Sequence, residues 1–270
     1  MYKLFIQKGG IVLLALAAAI VLYLFISIKL GYKYRKTIFG KRKITEVTAV
    51  RPLGGNLCAA YRVLHFSNRL SYESVQRPLT AALLYRWICE GQAGYSPDGA
   101  DGQPALVIDK DASFPDPDET DMFLRFRKAA SKDPIQTPGR LKDWAREHYD
   151  GELVTTYLPT IGTDWLKRNG CIAREKALTP VFTPVGAAQA RRLIGFRNFL
   201  SHANATTVLP EGVSEDDCIT YALLFGIQDD FFHAMKGGIP ARKTEIARFC
   251  VRMSEALWNG YQDAVDDMSD

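Results

Sequence analysis

Acidic side chains are missing from the first 43 positions of this 270-residue chain, yet nine of its 34 Lys and Arg residues fall there. The remainder, 44–270, holds 25 bases and 30 acids, so the overall net charge of +4 hides a body of net charge −5. Such a body lacks the broad basic face that binding to phosphate backbones requires, and nucleic acid is disfavoured as a partner. Cysteine is scarce too. Cys58, Cys89, Cys171, Cys218 and Cys250 lie far apart, with no CxxC pair and no Cys/His cluster. An odd, scattered set suits reduced thiols in a cytoplasmic body better than a disulfide framework.

Signatures of catalysis are also lacking. There is no Gly-rich phosphate loop, no GxSxG and no HExxH. His65, His148, His202 and His233 have no partner at metal-ligand spacing. The acidic run from Asp109 to Asp121 fails as a calcium loop, because Phe114 and Thr120 stand where glycine and glutamate are needed. Ser201 and His202 are adjacent, which on a helix points them about 100° apart and excludes activation of the hydroxyl by its neighbour. No catalytic, cofactor-binding or metal-binding residues are assigned, and an enzyme is not the expected class.

What is present begins with Gly9–Ile28, 20 residues without a charge and nearly all apolar. At about 1.5 Å per residue they span the roughly 30 Å core of a bilayer as a helix. Lys3 and Lys8 precede the run, and Ala15-Leu16-Ala17 resembles a signal-peptidase site. The apolar run continues well past that tripeptide, so an uncleaved anchor is expected. After it come Lys29, Lys33, Arg35, Lys36, Lys41, Arg42 and Lys43 with no acid among them. That bias places residues 1–8 outside and the carboxyl-terminal body in the cytoplasm, in a single-pass inner-membrane protein. The same seven cations are the expected contacts to an anionic leaflet, each worth about 1 kcal/mol near the surface.

The body reads as mainly α with short β-hairpins, an α+β class. A basic linker covers 29–54. A first unit, 55–110, holds a short helix near Asn56–Leu64, a helix from Arg77-Pro78 to the Gly91 stop, and strands Ala93–Ser96 and Ala105–Ile108. Residues 111–150 are an acidic loop and helices at Glu119–Ala130 and Gly139–Tyr149. A second unit, 151–186, repeats the order of helix, glycine stop and hairpin. Helix followed by hairpin is how a winged-helix unit ends, so two winged-helix-like units are expected. Residues 187–270 form a helical cap with helices Ala187–His202, Ser214–Met235 and Arg242–Val265, and a frayed acidic tail.

LTAALLYRWICEGQAGY, VFTPVGAAQARRLIGFRNFL and CITYALLFGI together resemble the cytoplasmic carboxyl-terminal part of the YciQ-like predicted membrane proteins of bacteria. The matching positions are Thr183-Pro184-Val185-Gly186, Gly195-Phe196-Arg197-Asn198-Phe199-Leu200, and Tyr221-Ala222 with Gly226. The likeness covers roughly 55–235 and implies a membrane location and an architecture, since the family's function is unassigned. Family members usually carry a large extracytoplasmic domain before the membrane segment, whereas a handful of residues precede the apolar run in this sequence.

The expected role is a membrane-anchored interaction or scaffold module, with the bilayer, other membrane or cytoplasmic proteins and a second copy as candidate partners. The alternative is a membrane-tethered winged-helix DNA-binding regulator. Lys167, Arg168, Arg174 and Lys176 of the second unit are the candidate contacts, with Arg77 and Arg86 as the weaker offer of the first. Gly195, Phe196, Phe199 and Gly226 are read as helix-packing residues, with Gly195 expected to lie against the small residues Ala222–Gly226.

Overall fold

The computed structural model describes residues 44–66, 72–99, 102–109, 111–131, 135–151, 153, 157–158, 160–176 and 179–268, with the isolated Leu22. The anchor at 9–28 (Leu22 apart) and the linker cations Lys29, Lys33, Arg35, Lys36, Lys41, Arg42 and Lys43 lie outside the described residues. Among the described residues no helix is long and apolar enough to cross a membrane.

Wide apolar stripes set the helices. A 3-10 turn at Pro52–Gly55 leads into α1 (Leu57–Phe66) and α2 (Tyr72–Cys89). Leu79, Leu83, Leu84, Tyr85 and Trp87 of α2 are fully buried, and the helix packs against two later ones, α7 (Glu215–Phe225) and α9 (Ala241–Asp267). It begins before the expected Arg77-Pro78 and carries Pro78 inside it. Ser254 Oγ of α9 donates to the Arg77 carbonyl at that point, 2.7 Å away, and Arg77 itself donates to Asn259.

The hairpin β1 (Ala93–Ser96) and β2 (Ala105–Ile108) is antiparallel, Ala93 opposite Ile108 and Ser96 opposite Ala105. A third strand, β3 (Ile135–Gln136), pairs with β2. Two residues carry no readable alternation, which is why the sequence pattern misses it. Between them lies α3 (Pro117–Ala129), and after β3 comes α4 (Pro138–Glu147). The second unit supplies α5 (Thr163–Arg168) and the hairpin β4 (Ile172–Lys176) with β5 (Thr179–Phe182), antiparallel with an irregularity between Ile172 and Glu175. The fold is thus mainly helical with small antiparallel sheets. One cluster of buried apolar side chains runs from Ile44 to Tyr261 and spans both helix–hairpin units and the carboxyl-terminal helices.

The end of the chain departs from expectation in three places. Helix α6 (Pro184–His202) starts three residues early, because Thr183 caps it through Gly186 N and proline occupies the first turn. The expected helix Ser214–Met235 is two, α7 and α8 (Gln228–Ala234). Ser214 and Asp217 form a full capping box at its start, and Gly226, at φ 65°, ends α7 in a left-handed cap that permits no continuation. The acidic tail is docked on α4: α9 continues to Asp267, with Lys142–Asp263 at 2.9 Å and Arg146–Asp267 at 2.7 Å.

Gly195 does not meet Ala222–Gly226. Its neighbour is a strap, residues 44–50, that runs along α6. A Cβ on Gly195 would come within 2.5 Å of Thr48 Oγ1, and Thr48 N donates to the Gly195 carbonyl at 3.1 Å. Asn198 Nδ2 donates to the carbonyls of Ile44 and Glu46 at 3.2 and 2.9 Å. Contact between α6 and α7 runs instead through rings: Phe196 stands edge-on to Tyr221 at 5.2 Å and stacks with Phe199 at 5.8 Å.

The tightest helix crossing is α9 on α4, where a Cβ on Gly260 would strike the Lys142 carbonyl and Ala145 Cβ. Alanine in an open helix gains about 1 kcal/mol over glycine. Here Gly260→Ala is expected to lose stability by about 1–3 kcal/mol through overpacking. Urea denaturation checks it, and a stabilised variant would show that the two helices do not approach so closely.

Candidate functional site

Arg51 to Gly55 form the base of the most polar region of the body. Leu53, Gly54 and Gly55 all take positive φ, at 53°, 60° and 86°, folding the chain into a tight left-handed turn with Leu53 buried. This turn aims two carbonyls inward. Pro52 O accepts from Tyr221 at 2.9 Å, and Gly55 O accepts from Arg86 Nη1 at 2.8 Å. Asn56 then caps α1 through Ala59 N at 2.7 Å and donates to Asp116, which itself caps α3.

Glu119, in the first turn of α3, receives the rest. Arg86 donates to it through both Nε and Nη2, and Trp87 Nε1 donates to Oε1 at 2.7 Å. The Arg86 and Glu119 side chains are only 12% and 7% exposed, so the pair is desolvated. Burial alone would lower the Arg86 pKa, but the attraction of Glu119 outweighs it and holds the guanidinium more firmly charged. Nearby, Asp118 accepts from Gly162 N at 2.8 Å, and its carboxyl is pushed up chiefly by burial.

Two hollows flank this node, of about 470 and 230 Å³, sharing Arg51, Gly55, Arg86 and Glu90 in their walls. Trp165, Arg168 and Asn169 close the larger one. Arg51 pairs with Asp217 at 3.1 Å, and burial raises the Glu90 carboxyl against the lowering pull of Arg86. Charges of both signs are thus matched against each other, which favours holding the elements in place over activating a substrate. The cysteines point the same way. Burial is the first cause that raises the thiol pKa of all five, Cys89 and Cys218 to about 12 and Cys58 and Cys250 well above the ordinary value. Burial thus disfavours the thiolate form at each of them.

The predicted contact residues divide. Arg168 is exposed and reaches the larger hollow, with Nε donating to the Asp164 carbonyl at 3.4 Å. Lys167 lies 3.7 Å from Asp164. Arg174 and Lys176 stand on β4, with side chains outside the described set. Arg86, offered by the sequence as a surface contact of the first unit, is buried in its ion pair, and Arg77 lies against α9. The sequence reading missed Arg51, Glu90 and Glu119. A usable signal existed: Arg86 sits between Tyr85 and Trp87 in an apolar stripe, and a buried arginine requires a carboxylate partner. Phe196 and Phe199 do pack as read, whereas Gly226 is a cap.

Two more clefts lie elsewhere. One, of about 570 Å³, has Trp144 stacked on His148 and Tyr149 edge-on to Tyr261, beside Arg125. The other, of about 890 Å³, runs between α8 and α9 past Phe232, Met235, Val251 and Arg252. Among the described residues no group of three His, Cys, Asp or Glu is placed to hold a metal. Ser201 Oγ and His202 Nδ1 each turn back to carbonyls one helical turn earlier, Arg197 and Asn198. No protein-family description, no curated protein and no solved structure matches this chain.

Leaving one partner of a buried ion pair alone costs about 3–5 kcal/mol, whereas replacing both by apolar side chains is often neutral. Arg86→Met and Glu119→Leu alone are therefore each expected to lose about 3–5 kcal/mol, and the two together to recover most of that loss. A double-mutant cycle by chemical denaturation measures this, and equal losses in all three variants would contradict it.

His65, half-buried and stacked flat on Tyr61 at 6.3 Å, has its pKa lowered by burial first and by Arg62 second. Its folded pKa lies below its unfolded one, so its contribution is complete above the unfolded value. It is lost as pH falls through about 6.5 toward the folded pKa. Stability should drop as pH falls below about 6.5, and His65→Gln should flatten that part of the profile. Parallel profiles for the two proteins would exclude His65 as the cause.

Proposed function

We propose that the chain is a membrane-anchored protein-interaction or scaffold module. A single apolar helix at 9–28 holds it in the inner membrane, and a helix-rich cytoplasmic body is built on two winged-helix-like units. The observation that carries the reading is the break at residue 44. Twenty uncharged residues and then seven acid-free cations come before it, and an acidic body packed around one core comes after it. The resemblance to the YciQ-like membrane proteins supports the same placement. Polar groups in the body are paired with one another around Glu119, which suits a rigid platform for docking.

A tethered DNA-binding regulator is the second reading. It is favoured by the exposure of Lys167 and Arg168 just before the β4–β5 hairpin, in a body that is otherwise acidic. Fusing alkaline phosphatase or a fluorescent protein to the carboxyl terminus tests the placement. The expected outcome is a fluorescent, phosphatase-inactive fusion that stays with membranes through alkaline carbonate. A carbonate-soluble chain or an active phosphatase would refute it. Salt-dependent DNA binding that disappears on charge reversal at Lys167, Arg168 and Arg174 would put the second reading first.

A further inference from the structure

The strap at residues 44–50 sets where the basic segment joins the body. Thr48 lies at Gly195 while Ile44 and Glu46 lie at Asn198, so the strap runs backwards along α6 and its amino end lies toward the helix's carboxyl end. Ile44 is buried there, and Lys41, Arg42 and Lys43 immediately precede it in sequence. Cations attracted to an anionic surface thus reach to within one residue of a docked position on the body.

The same end of α6 continues into a loop, residues 203–213, of unusual build. Asn204 Oδ1 accepts from Thr206 N at 3.0 Å and Thr206 Oγ1 at 2.7 Å. Thr207 N donates to the Asn204 carbonyl and Asn204 N to Thr207 Oγ1, both at 2.8 Å. Ala205 rests on Gly238, in the turn between α8 and α9, and Leu209 packs on the core. From this braced loop Val208 projects with 88% of its surface exposed, the most exposed large apolar side chain of the described residues. His202, the residue before this loop, and Lys236, in the turn whose Gly238 the loop meets, are exposed, with Glu211 the loop's own acid. A braced loop that displays one apolar tip, following the helix end where the basic segment joins the body, suits the headgroup layer, where apolar and basic groups are both favoured.

We infer that the carboxyl end of α6 and the loop 203–213 rest on the anionic bilayer surface, with Val208 entering the headgroup region. This rests on the anchor reading above. The test uses the full chain in vesicles containing anionic phosphatidylglycerol, with Cys89→Ser to remove the exposed thiol. An environment-sensitive dye is attached at Val208→Cys or, as control, at Met268→Cys. Met268 follows the far end of the 27-residue α9, about 40 Å from the turn that touches the loop. Doxyl-labelled lipids should quench the position 208 dye at least about twofold more than the position 268 dye. Replacing Lys41, Arg42 and Lys43 by glutamine should reduce that difference. A chain that survives carbonate washing but shows equal quenching at the two positions overturns this inference alone. A chain stripped from the vesicles overturns the anchor reading and this inference together.

Discussion

Glu119 is held by donors that come from two consecutive residues of one helix, Arg86 and Trp87, and Arg86 in turn holds the Gly55 carbonyl. A buried carboxylate needs its donors at fixed positions, because an unpaired charge in the interior costs far more than a shifted apolar contact. Apolar faces of α2 and α3 could slide by part of a turn at modest cost. The ion pair and the indole hydrogen bond admit one register. Once α3 is set, Asp116 and Asp118 at its start fix Asn56 and Gly162, and with them the positions of α1 and α5. The left-handed turn at Leu53–Gly55 is kept in its sparsely populated conformation by the same group of bonds. Strain there is offset by Arg86 and Tyr221 gripping the turn's carbonyls.

Much of the architecture was legible in the sequence and the reasons are local. Hairpin β1–β2 shows at the expected residues because turn residues separate two short apolar runs. Helix α3 begins with acids and ends with bases, as the helix dipole favours, and it forms almost where expected. The capping pair Ser214 and Asp217 was visible because a cap is a matter of neighbours three residues apart. What was not legible depends on distance along the chain. Pairing of Arg86 with Glu119 spans 33 residues, and docking of Ile44 on Asn198 spans 154. No pattern of period 2 or 3.6 encodes such a partner.

Glycine shows the same limit. Gly195 and Gly226 both interrupt apolar helical patterns, and spacing alone suggested that they face each other. One leaves room for a backbone strap and the other ends a helix, two uses with an identical signature in sequence. Only the Gly226 use had a local clue, in Ile227-Gln228-Asp229-Asp230, where acids announce a new helix start. Gly195 had none, since its neighbour lies 147 residues earlier.

Charge segregation has a consequence for how such a body would sit once tethered. A net of −5 over 44–270 is repelled by an anionic leaflet, whereas the cations ahead of it are attracted. Those two forces act on opposite sides of Ile44, and the strap transmits the difference to α6 through Asn198 and Gly195. A body linked by a free random coil would rotate its acidic faces away and keep no fixed orientation. The strap is pinned on α6 by three hydrogen bonds and by the burial of Ile44, so the residue that directly follows the cations is held at one end of that helix. The point at which the cations join the body is therefore set by hydrogen bonds and burial rather than by charge.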